Sequence, residues 1–311
     1  MKKKTAEYIN VLGKFCGKRD IPSLRKEELK KKYGIDQADV MVLFGGSIIC
    51  GGDLLAEGIK NNIAKKYVIV GGDGHTTETL RKKMHSHLPN VDTSDLTEAE
   101  IFDEYLKYKY NLKADLLECN STNCGNNITY LLELLKENNI EFNSIIIMQD
   151  ATMQHRMEAG LRKYVSNDIK IINFATYNAK VILKDGELAY ENDILGMWDI
   201  NHYITLLMGE IPRLSDNSDG YGPKGKDFIA HVHIPYEVNL AFSELKKNSQ
   251  EWFVLQTHYT LPKIKQTLTS VLLVYSFISY LKDFTIREAI YITSVKYLKL
   301  NPYILYTQIN E

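Results

Sequence analysis

Between residues 38 and 176 the chain repeats one grammar: a short, wholly apolar run ending in glycine or amide residues, then an amphipathic stretch. "DVMVLFGG" leads into "GDLLAEGIKNNIAKK", where Leu55, Ile59 and Ile63 recur at helical spacing. "YVIVGGDGH" leads into "TTETLRKKMHSHL", and "LTEAEIFDEYLKYKY" carries Thr97 and Glu100 in a capping-box pattern. "ADLLEC" precedes a polar loop and a stretch with Ile128, Leu131, Leu132 and Leu135 on one face. "NSIIIMQD" precedes "TMQHRMEAGLRKY", whose stripe of Met153, Met157 and Leu161 reads as core, and "IKIINFAT" is the fifth run. Strands that are apolar throughout must be covered on both faces, which calls for a parallel sheet between helical layers. An α/β fold, doubly wound around about five mostly parallel strands, is the expectation.

In such sheets a ligand lies beyond the carboxyl ends of the strands, where the strand order reverses. Four of the five runs end there in usable chemistry: Gly45-Gly46-Ser47, Gly71-Gly72-Asp73-Gly74-His75, the loop Asn120–Asn127, and Gln149-Asp150. Glycines let backbone approach a ligand, and helix N-termini attract anions; tight strand-to-helix turns account for the same glycines without one. One of Ser121, Thr122 or Asn123 suffices to cap a helix beginning near Cys124. The remaining side chains, with Asn126 and Asn127, are left over for a ligand. His155 and Arg156 oppose the dipole of their helix, a placement an anion or the Asp150 carboxylate would offset. Glu98 sits in the first turn of its helix, where the dipole alone favours an acid. "GYGPKGKD" satisfies G-x-x-x-x-G-K, but Asp227 replaces the metal-binding hydroxyl and a loop precedes it, so it is not a P-loop.

The first 37 residues read as a polar-faced helical segment, and 177–248 as a helical and loop region completing the site. There "DILGMWDINHYITLLMGEIPRL" is expected to be helix, "FIAHVHIP" a strand and "YEVNLAFSELKKN" a helix. Residues 249–311 form a tail expected to be largely helical. Its 14-residue apolar run Leu268–Leu281 is shorter than the roughly 20 residues that cross a bilayer. A net charge of −1 provides no global field for nucleic acid. Four cysteines without a C-x-x-C pair, and a start lacking a signal peptide, point to reduced thiols in the cytoplasm. The pairs His85/His87 and His231/His233 lack a third ligand, so no metal is expected.

"STNCGNN", "QDATMQHR" and "GEIPRLSDNSDGYGPKGKDFIAHVHIP" resemble, in order, motifs of the SanA/ElyC/YdcF family of α/β proteins. The last stretch is similar to its YdcF branch, and the likeness spans roughly Asp36 to Lys247. The resemblance implies a Rossmann-like core, a smaller, mainly helical C-terminal part and S-adenosyl-L-methionine as ligand. By matching positions it implies a site of Gly45, Gly46, Gly71, Gly72, Glu98, Ser121, Thr122, Asn123, Asn127, Asp150 and Arg156. Arg213, Asp219, Tyr221 and Lys226 would close it, with His155 at a position basic in the family. The acid that holds a ribose after strand two in methyltransferases has no equivalent here.

The leading expectation is a cytosolic protein binding a nucleotide-like or phosphorylated small molecule. Arg156 and Arg213 would neutralise an anion, and Glu98 and Asp150 would accept ribose or amine hydrogen bonds. The alternative is a hydrolase or transferase on a phosphorylated or polyprenyl-linked envelope precursor, with Glu98 or Asp150 as base. A third reading is an interaction module forming homo-oligomers through the tail.

Overall fold

The computed structural model describes residues 2–74 and 76–247. His75 and the tail expected over 249–311, with its oligomer contact, lie outside the described residues. Two helices come first, α1 (Lys2–Cys16) and α2 (Lys26–Tyr33). The repeated grammar then becomes β1 (Ala38–Phe44), α3 (Cys50–Lys60), β2 (Ala64–Val70), α4 (Thr77–His85) and α5 (Glu98–Tyr110). It continues through β3 (Leu116–Glu118), α6 (Cys124–Glu137), β4 (Ser144–Met148), α7 (Gln154–Tyr164) and β5 (Lys170–Asn173). A hairpin of β6 (Val181–Lys184) and β7 (Glu187–Tyr190) follows, then α8 (Ile200–Leu214) and helix over residues 236–247.

Strands β1 to β5 form one sheet in the order β3-β2-β1-β4-β5, and every neighbouring pair is parallel. Alternation along the strands explains the two helical layers. Met41, Leu43, Ile69, Ile146 and Met148 pack with Leu55 of α3, Leu80 of α4 and Phe102 and Tyr105 of α5. Val40, Val42, Val68, Ile145 and Ile147 point the other way, onto Ile128 and Leu131 of α6 and Met157 and Leu161 of α7. Each such side chain contributes about 1.5–3 kcal/mol by leaving water. The chain winds outward from β1 through β2 to β3, then returns to place β4 on the other side of β1. The strand order therefore reverses between β1 and β4, and the loops after those two strands flank the switch point.

A third cluster joins α1, the hairpin, α8 and the last helix through Ile9, Leu12, Val181, Tyr203, Leu207, Ile211, Val238 and Ala241. The first 37 residues and the region after 177 thus belong with the sheet to one unit that extends to Lys246. Several local expectations are corrected. Helix α8 starts at Ile200 rather than Asp193, because the Asp199 carboxylate accepts from the N–H groups of Asn201 and His202 and caps it there. "FIAHVHIP" is not a strand: the Phe228 and Ile229 N–H groups donate to Tyr221 O and that of Ala230 to Ala159 O of α7, so no ladder forms. The unforeseen hairpin turns on Asp185 and Gly186, at φ 52° and 80°, the left-handed pair a two-residue turn requires. Among the described residues no helix is long and apolar enough to cross a membrane.

Candidate functional site

The glycines after β1 and β2 enclose a carboxyl group. A side chain at Gly45 would place its Cβ 2.5 Å from Glu98 Oε2, and one at Gly71 would lie 2.9 Å from Glu98 Cβ. At Gly72 a Cβ would meet Ser121 O at 2.4 Å. Their N–H groups are spent inside the fold, Gly45 on Val70 O, Gly71 on Glu118 O and Gly72 on Ser121 O. Glu98 opens α5 behind the capping box of Thr97 and Glu100 and is 7% exposed. Its Oε1 accepts from the hydroxyls of Thr76 and Thr77, each at 2.9 Å. Oε2 accepts nothing among the described residues and faces the two glycines. Burial holds the Glu98 carboxyl above its usual pKa, against the opposing pull of those two hydroxyls. Asp73 is directed outward to Arg81, and the Gly74 N–H donates to Thr77 Oγ1 at 2.8 Å.

Across the switch point, Gln149 ties the two strand ends, donating from Nε2 to Gly45 O and accepting the Asp150 N–H on Oε1. Asp150 is buried and heavily engaged. Its Oδ1 accepts from Thr152 N, Thr152 Oγ1 and Tyr177 OH, and its Oδ2 from Trp198 Nε1 at 3.0 Å. A carboxylate has about four lone-pair positions, so Asp150 acts as a strut here, with little left for a substrate. Lys83 of α4 lies over the Trp198 ring at 4.3 Å and donates to Gly196 O at 2.6 Å and Ser47 O at 3.2 Å. Burial lowers its pKa, with the Asp150 charge opposing. Phe44, Gly46, Ile48, Phe102, Gln149 and Asp150 line a cavity of about 10 Å³, room for about one water; a larger ligand would lie across its mouth or widen it.

In the Asn-rich loop the cap is Asn123, whose Oδ1 accepts from Gly125 N and Asn126 N. Ser121 Oγ accepts from Gly72 N, Thr122 Oγ1 donates to Asn126 Oδ1, and Asn123 Nδ2 donates to the same oxygen. Most of the apparent surplus is therefore spent within the loop. Within this loop only the Asn127 side chain, of those expected to bind, makes no hydrogen bond among the described residues. The loop is also anchored by Glu118, whose Oε1 accepts from Asn120 N and Ser121 N while its buried Oε2 has no partner.

Arg156 is not a free cation. It makes a two-pronged pair with Glu210 of α8, at 2.6 and 3.0 Å, with side-chain exposures of 13% and 4%. Burial opposes its charge, yet Cys124 and Glu210 beside it hold its pKa above the usual value. Arg213 shares Glu210 at 3.1 Å. The Tyr221 N–H donates to Arg213 O, and Lys226 lies 5.2 Å over the Tyr221 ring. Cys124, Arg156, Glu210, Arg213, Tyr221 and Lys226 are thus linked where α6 and α7 begin, three cations against one carboxylate. Asp219 is exposed on the same loop. His155 belongs elsewhere: its ring meets Phe15 edge-on, with Nδ1 2.9 Å from Phe15 O of α1. Burial, then the Lys18 charge, keeps its pKa low.

Among the described residues no group of three His, Cys, Asp or Glu side chains is placed to hold a metal ion. No protein-family model matches the chain. Fold and site define a doubly wound parallel α/β protein with its polar chemistry gathered at the carboxyl edge of the sheet. Sequence reading missed Lys83, Glu118, Trp198 and Glu210. None lies in a glycine turn: Glu118 ends β3 itself, and Lys83, Trp198 and Glu210 come from other elements; only the Glu210–Arg213 spacing on one helix left a trace.

Proposed function

We propose that this protein is a cytosolic binder of a small nucleotide-like or phosphorylated molecule, seated at the carboxyl edge of the sheet. S-adenosyl-L-methionine is the candidate suggested by the motifs similar to the YdcF branch. One observation carries the reading: Glu98 is buried without a cationic partner, and Oε2 is left open between Gly45 and Gly71. A carboxyl oxygen that accepts nothing within the fold still has lone pairs to offer, and a ligand hydroxyl or amine at this edge would fill them. The cations around Arg156 provide a second, positively charged flank. Calorimetric titration with S-adenosyl-L-methionine and with sugar nucleotides tests it. Saturable heat, with an affinity that Glu98→Gln lowers about tenfold, the worth of a hydrogen bond to a charged group, is the expected result. Absence of heat with every ligand, in protein shown to be folded, sinks it.

The raised pKa of Glu98 favours a second reading, acid–base catalysis in a hydrolase or transferase on a phosphorylated substrate. There Glu98→Gln abolishes turnover while binding survives; unchanged turnover removes Glu98 from the mechanism.

A further inference from the structure

At the turn from β1 into α3, hydrogen-bond donors accumulate with nothing among the described residues to accept from them. The N–H groups of Gly46, Ser47, Ile48 and Ile49 make no hydrogen bond among the described residues, and Ser47 Oγ is likewise unpartnered. Ser47, Ile48 and Ile49 are nevertheless 2%, 4% and 1% exposed. Buried backbone donors are nearly always paired, so a run of them around a buried unpaired hydroxyl is exceptional. The next N–H, of Cys50, finds Leu195 O at 3.3 Å. These donors stand at the positive end of α3, an 11-residue helix.

Lys83 is an independent sign. Its ammonium is held at this turn by Ser47 O, by Gly196 O and by the Trp198 ring, with no carboxylate in ion-pair reach among the described residues. Burial lowers its pKa, and the opposing Asp150 charge does not make up for it. The nearby Asp150 is not a substitute, since four donors already share its charge. The turn offers donors and positive charge, so whatever completes it must bring acceptors and negative charge.

We propose that the β1–α3 turn, with Ser47 and Lys83, is an oxyanion subsite that holds a phosphoryl or carboxylate group of the ligand. This rests on the reading that a small molecule binds at the carboxyl edge, and it moves the anion from Arg156 to the switch point. The test is titration of the isotope-labelled full chain with inorganic phosphate, following backbone amide resonances. Saturable shifts at Gly46 to Ile49, absent with chloride at equal ionic strength, are expected. Ser47→Ala and Lys83→Met should each weaken binding about tenfold, with Lys83→Arg close to wild type; an acetate series separates carboxylate from phosphoryl preference. No shift at those four amides in the wild-type chain overturns the proposal, and this readout stands even where a variant misfolds. Adenosyl-ligand binding of equal affinity in wild type, Ser47→Ala and Lys83→Met also overturns it, while leaving the proposed function intact. Phosphate shifts at the turn without binding of any nucleotide-like ligand support the subsite and count against that ligand class.

Discussion

At the scale of the residue, Glu98 concentrates the chemistry because Gly45 and Gly71 lack side chains and Thr76 and Thr77 spend theirs on it. Its raised pKa makes a pH prediction whose sign follows from linkage. The folded state holds the Glu98 proton more tightly than the unfolded chain does. Its contribution is therefore fully present below the ordinary carboxyl value near 4.5, and is lost as pH rises through the folded value. Glu98→Gln, which keeps the shape and carries no charge, should flatten that part of the stability–pH curve in urea unfolding from pH 4 to 8. A parallel curve in the variant would show that burial does not penalise this carboxylate. Gly45→Ala should drive a methyl into Oε2, costing about 1–3 kcal/mol and displacing the carboxyl, so stability and ligand affinity fall together.

At the scale of the element, the loop before α6 separates structure from binding. Asn123→Ala removes the cap and should cost about 1 kcal/mol, read as a lower urea midpoint with unchanged slope. Asn127→Ala removes no hydrogen bond among the described residues and should stay within about 0.5 kcal/mol of wild type. A drop in ligand affinity for Asn127→Ala with stability unchanged would place the ligand against α6. Much of this level was legible in the sequence, since Thr97 with Glu100 announced the start of α5 and the glycine-terminated runs announced β1 and β2. Other signals were local and overlooked: Asp185-Gly186 is a two-residue hairpin turn, and Asp199 is a cap. "FIAHVHIP" misled because its two buried apolar residues, Ile229 and Val232, join the third cluster from positions three apart, not at the spacing of two that a strand requires.

At the scale of the whole molecule, the Arg156–Glu210 pair ties α7 of the sheet layer to α8 beyond it. Removing Arg156 leaves the buried Glu210 with only the more exposed Arg213 as partner, and removing Glu210 leaves Arg156 buried without its carboxylate. Arg156→Met should therefore destabilise the fold by about 3–5 kcal/mol, and the double variant with Glu210→Leu should recover much of that loss. Full additivity of the two losses in thermal unfolding would show that the pair is not coupled. This pairing changes the functional assignment too, because an arginine neutralised within the fold is a weaker anion receptor than its sequence position suggests.

The sequence alone determined the layered α/β class and the edge where the chemistry gathers, because apolar runs with helical stretches between them admit few other packings. It also placed the glycine turns and the Asn-rich loop at that edge, to which the family resemblance added Glu98. Only the tertiary structure decided which of their hydrogen-bonding groups are already spent. Asp150 is filled by Tyr177, Thr152 and Trp198, and Arg156 by Glu210, all but one of those partners coming from elements distant in the chain. Glu98 Oε2 and the β1–α3 turn are left open for the same reason: no element among the described residues reaches them with a partner.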